Sequence, residues 1–330
     1  MDRIRWGVIG TANIATWRVI PAIQKSRNGD VVAVASRDAG RARDYANRHG
    51  IAQSYGSYAA LLDDASIDAI YIPLPNQLHA EWSIRCAEAG KPTLCEKPLG
   101  STAAETQRMV DVFRERGVPL AEAFMYRFHP RTERVKDIVG RGAVGEMHLI
   151  DAVFSFQIRR VNDVRLQPQL AGGALRDLGV YCVNLMRLMT DEEPDRVQAI
   201  GHFGAESGVE EWAVGSLQFP SGVLGSFGCG MRSYRTHGYL IRGSEGTIVV
   251  QDGFGPNDDQ VTEIVVKRDT GKLSETIRIE IPATDQFQRM VEDFADALLD
   301  DRPPRYPAED AVANMKVLDR LQASMRSTEA

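Results

Sequence analysis

Ile4-Arg5-Trp6-Gly7-Val8-Ile9-Gly10-Thr11-Ala12-Asn13-Ile14-Ala15 is the stretch on which the fold turns. A short apolar run, Ile4 to Ile9, stops at Gly10, and helical periodicity takes over from Asn13 to Lys25, with a kink expected at Pro21. A strand that turns directly into a helix aims free backbone N–H groups and the positive helix end at whatever lies beyond the turn, and a pyrophosphate suits that field. The dinucleotide fingerprint G-x-G-x-x-G/A reads here as Gly10-x-Ala12-x-x-Ala15. Ala12 replaces the middle glycine, where backbone approaches phosphate most closely, so the match is weakened but tolerable. A tight strand–helix turn without a ligand is the bland alternative. Position and βαβ context favour a dinucleotide held by Gly10, Thr11, Ala12, Asn13 and Ile14.

The same rhythm continues outward. Val31–Ala35 is a second apolar run, followed by a helix over 39–49, a strand over 69–72, a helix over 77–89, a strand over 93–95, a helix over 102–116 and a strand over 119–121. Strands this short and apolar, separated by amphipathic helices, predict parallel βαβ units in a doubly wound sheet covered on both faces. The second strand ends Ala35-Ser36-Arg37, with Arg41 one helical turn later. A hydroxyl and two guanidinium groups suit a ribose 2′-phosphate, so NADP(H) is expected over NAD(H). Asp38 is the contrary feature, and solvated surface charge is the bland reading of both arginines.

After Phe124 the pattern changes. A helix over 131–139, a long strand over 147–156 and a helix over 175–189 lead into a region, 196–281, of consecutive strands broken by Ser221-Gly222, Gly243-Ser244-Glu245-Gly246 and Asp252-Gly253. Two helices, over 286–299 and 308–325, close the chain. The expectation is a dinucleotide-binding domain, 1–123, and a substrate-binding α+β domain, 124–330, built on a large, mostly antiparallel open sheet, with a cleft where they meet.

Composition agrees with this architecture. The 330 residues suggest two domains at about 150 each, and 43% hydrophobic with 25% charged residues is ordinary globular composition, not a disordered or coiled-coil one. With 39 basic and 45 acidic residues, the net charge of −6 creates no overall positive field for nucleic acid or anionic lipid. Cys86, Cys95, Cys182 and Cys229 form no CxxC pair or zinc-like spacing, which reads as reduced structural thiols. No apolar signal segment opens the chain and no run approaches about 18 apolar residues, so a cytoplasmic enzyme without a membrane partner is expected.

Cys95-Glu96-Lys97-Pro98 follows a strand at the carboxyl edge of the predicted sheet, where ligands bind in such folds, and the proline holds Lys97 extended. Alone, a strand-end lysine reads as a solvated charge. Together with Gly10-Thr11-Ala12-Asn13-Ile14-Ala15, Pro73-Leu74-Pro75-Asn76-x-x-His79 and Gly172-Gly173-Ala174-Leu175-Arg176-Asp177-Leu178-Gly179-Val180-Tyr181, however, it resembles the Gfo/Idh/MocA oxidoreductases along essentially the whole chain. The similarity is to the branch of glucose–fructose oxidoreductase, NADP-dependent xylose dehydrogenase, dihydrodiol dehydrogenase and nucleotide-linked ketosugar reductases.

That resemblance implies a Rossmann domain and hydride transfer between NADP(H) and a hydroxyl or carbonyl carbon of a sugar or similar polyol. The alternatives are a nucleotide-linked ketosugar reductase, a dihydrodiol dehydrogenase, or a non-catalytic sensor on the same fold. It implies that Lys97 hydrogen-bonds the reacting oxygen and that Tyr181 is the proton donor or acceptor, in place of the histidine of the inositol dehydrogenase branch. A free phenol titrates near pH 10, so Tyr181 needs a neighbouring cation such as Lys97. Asp177, four residues earlier on the same predicted helix face, orients substrate or lysine. Arg176 departs from the apolar residue expected beside it. Pro73, Leu74, Asn76, His79 and Glu96 join the cofactor set, a cis peptide at Pro98 is implied, and pairing into a homodimer or homotetramer through the open face of the second sheet is expected.

On the substrate side, Tyr126, Arg127 and His129 are candidate donors to hydroxyl groups, against a plain hinge packed by Phe124 and Phe128, with His129 before Pro130 as a possible helix entry. The basic segment 157–166 reads as a loop over the site, with Arg159, Arg160 and Arg165 suited to phosphate, or as solvated charge. Strand alternation accounts for Tyr234, Arg235, His237 and Tyr239. Tyr-x-x-x-Lys, Gly-x-Ser-x-Gly, Walker and His-Glu-x-x-His motifs are absent, as is metal-ligand spacing, so the expected chemistry is metal-free.

Overall fold

The computed structural model describes residues 3–327 apart from 161, 270, 272 and 273. Its contacts divide into two units, Met1–Met125 with Gln286–Val312, and Tyr126–Asp285 with Ala313–Ala330.

In the first unit, β1 (Ile4–Ile9), β2 (Gly29–Ala35), β3 (Gln53–Tyr55), β4 (Ala69–Ile72), β5 (Thr93–Glu96) and β6 (Leu120–Ala123) form a parallel sheet in the order β3-β2-β1-β4-β5-β6. The order reverses direction at β1, which puts the topological switch point beside Gly10. Helices α1 (Ile20–Lys25), α2 (Ala39–His49), α3 (Tyr58–Leu62), α4 (His79–Glu88) and α5 (Ala103–Arg116) connect the strands. Their ends are written locally. Asp38, Ser57 and Thr102 cap α2, α3 and α5 through their side chains, and Gly50 and Gly117 close α2 and α5 in the left-handed conformation. The strands carry Ile9, Ala33, Ala35, Ile70 and Ile72 into one buried cluster, as expected of a sheet covered on both faces.

The expected helix over 13–25 is not uniform. A π-helical turn, Ala15–Val19, precedes α1, and Pro21 sits in the first turn of α1. A widened turn tolerates the missing N–H of proline better than a regular helix interior does. Neither β3 nor α3 is legible from apolar pattern. β3 is three mostly exposed edge residues, Gln53–Tyr55.

In the second unit, β7 (Met147–Gln157), β8 (Arg196–Phe203), β9 (Glu210–Gln218), β10 (Leu224–Gly230), β11 (Arg232–Gly243), β12 (Gly246–Gln251), β13 (Thr262–Asp269) and β14 (Ser274–Ile281) form one sheet. Its order is β14-β13-β12-β11-β7-β10-β9-β8, antiparallel except for β7 beside β10. Helices α6 (Pro130–Gly140) and α7 (Val180–Thr190) belong to this unit, α6 entered through His129, whose Nδ1 accepts from the Arg131 N–H at 3.1 Å. The helix-entry reading of His129 is therefore the one observed. Small residues let the helical layer approach the sheet: a β-carbon at Gly225 would press on Met186 of α7, and one at Gly179 on Leu175 and Cys229.

Two helices close the chain, α8 (Gln286–Leu299) and α9 (Ala308–Ser327). The sequence assigned both to the second domain, yet α8 clusters with the first unit. Phe294 packs on the fully buried Trp6 with ring centroids 5.6 Å apart, and Asn28 Nδ2 donates to Glu292 O at 2.9 Å. Among the described residues no helix is long and apolar enough to cross a membrane, and all four cysteines are free and buried.

Candidate active site

The turn after β1 is built for close approach. Gly10 has φ of +110°, a conformation that favours glycine, and its N–H donates to Ala35 O at 2.9 Å, tying the turn to the end of β2. Ala12 O accepts from Thr16 N at 3.0 Å and from Thr16 Oγ1 at 3.1 Å, so the Ala12 carbonyl starts the helix. No side chain caps that turn at Ile14 among the described residues, and first-turn N–H groups have no intrahelical acceptor. These are the donors a pyrophosphate requires. An open cavity of about 670 Å³ adjoins the turn, lined by Thr11, Asn13 and Thr16 on one side and by Arg41, Asp44, Tyr45 and Arg48 of α2, with its cap Asp38, on the other. Two guanidinium groups on one wall fit a phosphorylated ribose.

Ser36 is buried at the end of β2, while Arg37 and Arg41 are exposed. Asp38, which argued against a 2′-phosphate, is occupied elsewhere: its Oδ1 accepts from Arg41 N at 2.7 Å as the cap of α2. A carboxylate held at a helix N-terminus has its charge offset by the helix.

Pro73 is buried, with Leu74 and Asn76 half-buried in the turn that follows β4. His79, expected among the cofactor contacts, is engaged with the protein's own backbone. It is fully buried, with Nδ1 2.9 Å from Pro98 O and Nε2 2.7 Å from Leu74 O. Full burial pushes its pKa below the ordinary value, against those two carbonyls. It therefore ties the loop after β4 to the loop after β5 from behind.

The Lys97–Pro98 peptide is cis. Lys97 is half-buried directly beyond β5, and its N–H lies 3.3 Å from Glu96 Oε2. Glu96 Oε1 accepts from Tyr71 OH at 2.7 Å, and Leu99 N donates to Glu122 Oε1 at 2.8 Å. Paired strands thus hold both sides of the Lys97 turn.

In the second unit, Asp177 and Tyr181 stand where a π-helical turn, Leu175–Gly179, runs into α7. The sequence implied a regular helix with the two on one face. The structure inserts a wide turn, a feature that recurs at functional sites, as it does ahead of α1. Tyr181 is almost wholly buried in an aromatic surround: Phe154, Phe254 and Tyr126 lie with centroids 5.1, 5.6 and 5.9 Å from its ring.

Tyr126 and Arg127 were expected to meet substrate, yet both are buried and spend hydrogen bonds inside the unit. Asn184 Oδ1 accepts from Tyr126 OH at 2.6 Å and from Arg127 Nε at 2.7 Å. Arg165 is likewise engaged. It makes two hydrogen bonds to Asp163, at 2.8 and 2.9 Å, lies over the Phe156 ring, and places Nη1 3.7 Å from Asp177 Oδ2. Burial would raise the Asp163 carboxyl, but the Arg165 hydrogen bonds hold it below its usual value. Arg159 and Arg160 remain the exposed cations of this segment, and its Val161 lies outside the described residues.

Sequence reasoning missed Asn184, Asp163 and Glu210. Asn184 and Glu210 meet partners 35 or more residues away in sequence, whereas Asp163 answers to Arg165 two residues on. Among the described residues, no group of three or more His, Cys, Asp or Glu is arranged to hold a metal ion.

Comparison with known proteins adds an independent line. Residues 4–124 match the model described as "Oxidoreductase family, NAD-binding Rossmann fold", and residues 132–249 match the "GFO/IDH/MocA C-terminal domain". The chain is 38% identical over 320 residues to D-xylose 1-dehydrogenase (NADP(+)) 2 of Haloferax volcanii, covering 97% of this chain and 96% of that one. It is 34% identical over 265 residues to trans-1,2-dihydrobenzene-1,2-diol dehydrogenase of Mus musculus, covering 80% and 78%. Among solved structures it superposes on a 3-ketoreductase from Actinomadura kijaniata, in complex with NADP and TDP-benzene, with a TM-score of 0.92 and 33% identity over 98% of both chains.

Proposed function

The chain belongs to the Gfo/Idh/MocA oxidoreductase family, and on that footing we propose that it is an NADP(H)-dependent oxidoreductase that reduces the keto group of a nucleotide-linked sugar. The full-length likeness to a 3-ketoreductase holding NADP and a TDP derivative carries this reading. The two exposed arginines, Arg159 and Arg160, support it as ligands for a diphosphate. A free aldose, oxidised in the opposite direction, is the second reading, and the 38% identity to a D-xylose dehydrogenase favours it.

Gly10, Thr11, Ala12, Asn13 and Ile14 hold the pyrophosphate of NADP(H), and Ser36, Arg37 and Arg41 hold the 2′-phosphate. The bound dinucleotide supplies or accepts the hydride. The chain's own side chains handle the oxygen and its proton. Lys97 donates a hydrogen bond to the substrate oxygen and stabilises the negative charge that builds there as the carbonyl is reduced. Tyr181 gives its phenolic proton to that oxygen, leaving a C–H and an O–H where the C=O stood. Asp177 accepts from a neighbouring substrate hydroxyl. The buried aromatic surround of Tyr181 excludes water from the proton-transferring group.

The proposal extends to assembly as a homodimer or homotetramer. One face of β8, β9 and β10 presents Ile200, Trp212, Val214 and Leu224 to solvent, and strand pairing places them on the same side. Light scattering of the native chain and of Val214→Glu tests this: a monomeric native protein refutes it.

The functional test follows NADPH oxidation with a TDP-linked 3-ketosugar and NADP reduction with D-xylose, other aldoses and a trans-dihydrodiol. Turnover confined to the nucleotide-linked ketone supports the first reading. Turnover on free aldoses alone replaces it with the second. Cofactor binding with no turnover on either class points to a sensor.

A further inference from the structure

The segment bearing Asp177 and Tyr181 enters its helix through two glycines wedged between other parts of the second unit. Gly173 N donates to Arg165 O at 2.9 Å, and a β-carbon at Gly172 would overlap that same carbonyl. On the opposite side, a β-carbon at Gly173, whose φ is +122°, would overlap the carboxylate of Glu210. Glu210 opens β9, is 1% exposed, and accepts at Oε1 from Leu175 N at 3.1 Å. Leu175 N–H is a first-turn donor that no carbonyl of its own helix reaches. Asp177 N then donates to Gly173 O at 3.0 Å. One carboxylate thus touches the chain two residues and four residues before Asp177.

A special device aims Glu210 there. Regular alternation along β9 would send it outward with Trp212 and Val214. The register shifts instead, with His202 opposite Trp212 and Phe203 opposite Glu210, so Glu211 is the extra residue of a bulge. Glu211 turns to Arg232, at 3.1 and 3.2 Å, and Glu210 turns inward. Burying an acid is costly, and burial pushes the Glu210 carboxyl above its usual value. The Leu175 N–H and the charges of Arg176 and Arg326 act in the opposite direction. Arg176, the departure beside Asp177, therefore has a counter-charge. An apolar residue would fill this space at less cost, which points to a role other than packing.

We infer that Glu210 is the positioning residue of the Asp177–Tyr181 segment: its carboxylate fixes the turn from Gly173 to Leu175, and through it the direction of both side chains. It touches no substrate itself. This rests on the reading of Tyr181 as the proton-transferring group.

The test compares Glu210→Ala, Glu210→Gln and Tyr181→Phe in the full chain. A displacement of about 1 Å at a reacting group costs on the order of 100-fold, so Glu210→Ala lowers kcat roughly 10- to 100-fold. Its NADPH affinity stays at the native value. Amide exchange across residues 172–182 speeds up by about tenfold or more as the anchored turn opens locally. Glu210→Gln keeps an oxygen for the Leu175 N–H and recovers most of both losses. Should Glu210→Ala fail to fold, Glu210→Asp replaces it, since its shorter side chain falls short of Leu175 while Gln does not. Native kcat in Glu210→Ala beside an inactive Tyr181→Phe overturns the inference. So does a lowered melting temperature with native kcat per folded molecule. If Tyr181→Phe itself turns over normally, the proposed function has failed, and the exchange rates alone then decide for or against Glu210.

Discussion

Replacing Asn184 by alanine is the sharpest test of how the second unit holds its aromatic centre. Asn184 is fully buried one turn after Tyr181, and its Oδ1 is shared by the Tyr126 hydroxyl at 2.6 Å and the Arg127 guanidinium at 2.7 Å. Alanine removes this acceptor from two buried donors at once. A buried neutral donor deprived of its partner costs about 1–3 kcal/mol, and a charged one more, so a loss of roughly 3–5 kcal/mol is expected. For a unit of this size each kcal/mol moves the melting temperature by about 2–4 °C, giving a fall of roughly 6–20 °C. Aspartate is the informative control. It keeps the oxygen, pairs its charge with Arg127, and discards an amide nitrogen that has no partner among the described residues. Its cost is therefore less than half that of alanine. Calorimetry on the two variants, with kcat measured below the transition, gives the comparison. A shift under about 3 °C for Asn184→Ala, or an aspartate variant as unstable as the alanine one, refutes the reasoning.

Tyr181→Phe and Lys97→Ala should each lower kcat by about 100-fold or more, with NADPH affinity little changed, because general acid catalysis and charge stabilisation act on the transition state. Steady-state kinetics beside fluorescence titration separates the two effects, and normal turnover in both variants ends the mechanism. Arg37→Ala and Arg41→Ala should weaken NADPH by about 1–3 kcal/mol each while sparing NADH, since only NADPH carries the 2′-phosphate they address. Equal losses for both cofactors would reassign those arginines. Burial pushes His237 down to about 4 from an ordinary 6.5, so the fold holds its neutral form. Its stabilisation is complete above the unfolded value and is lost as pH falls from 6.5 toward 4. His237→Gln should therefore flatten the acid side of the stability curve by about 3 kcal/mol, at 1.4 kcal/mol per unit. Urea melts between pH 7 and 4 check it, and parallel curves for native and variant proteins would show that His237 is not responsible.

Much of this protein is determined by its sequence. Short apolar runs, the first stopped by Gly10, set most strands of the first sheet, and Asp38, Ser57 and Thr102 cap three of its helices, so most of the parallel architecture is written locally. The Gly10 turn, the Ser36-Arg37 strand end, Glu96-Lys97-Pro98 and the Asp177–Tyr181 spacing are equally local, and the structure puts each at the end of a strand or the start of a helix. Tertiary structure decided the partners. That His79 lies behind its loop, and that Tyr126 and Arg127 answer to Asn184, depend on groups brought together by folding. The assignment of α8 to the first unit depends on Trp6 and Asn28, more than 250 residues away. Glu210 is the clearest case. Alternation predicts an outward side chain, and only a one-residue bulge against β8 turns it onto the glycines that lead to Asp177. Periodicity and motifs are properties of neighbours along the chain. Burial, hydrogen-bond satisfaction and bulges are properties of neighbours in space, and buried polar groups must find their partners there.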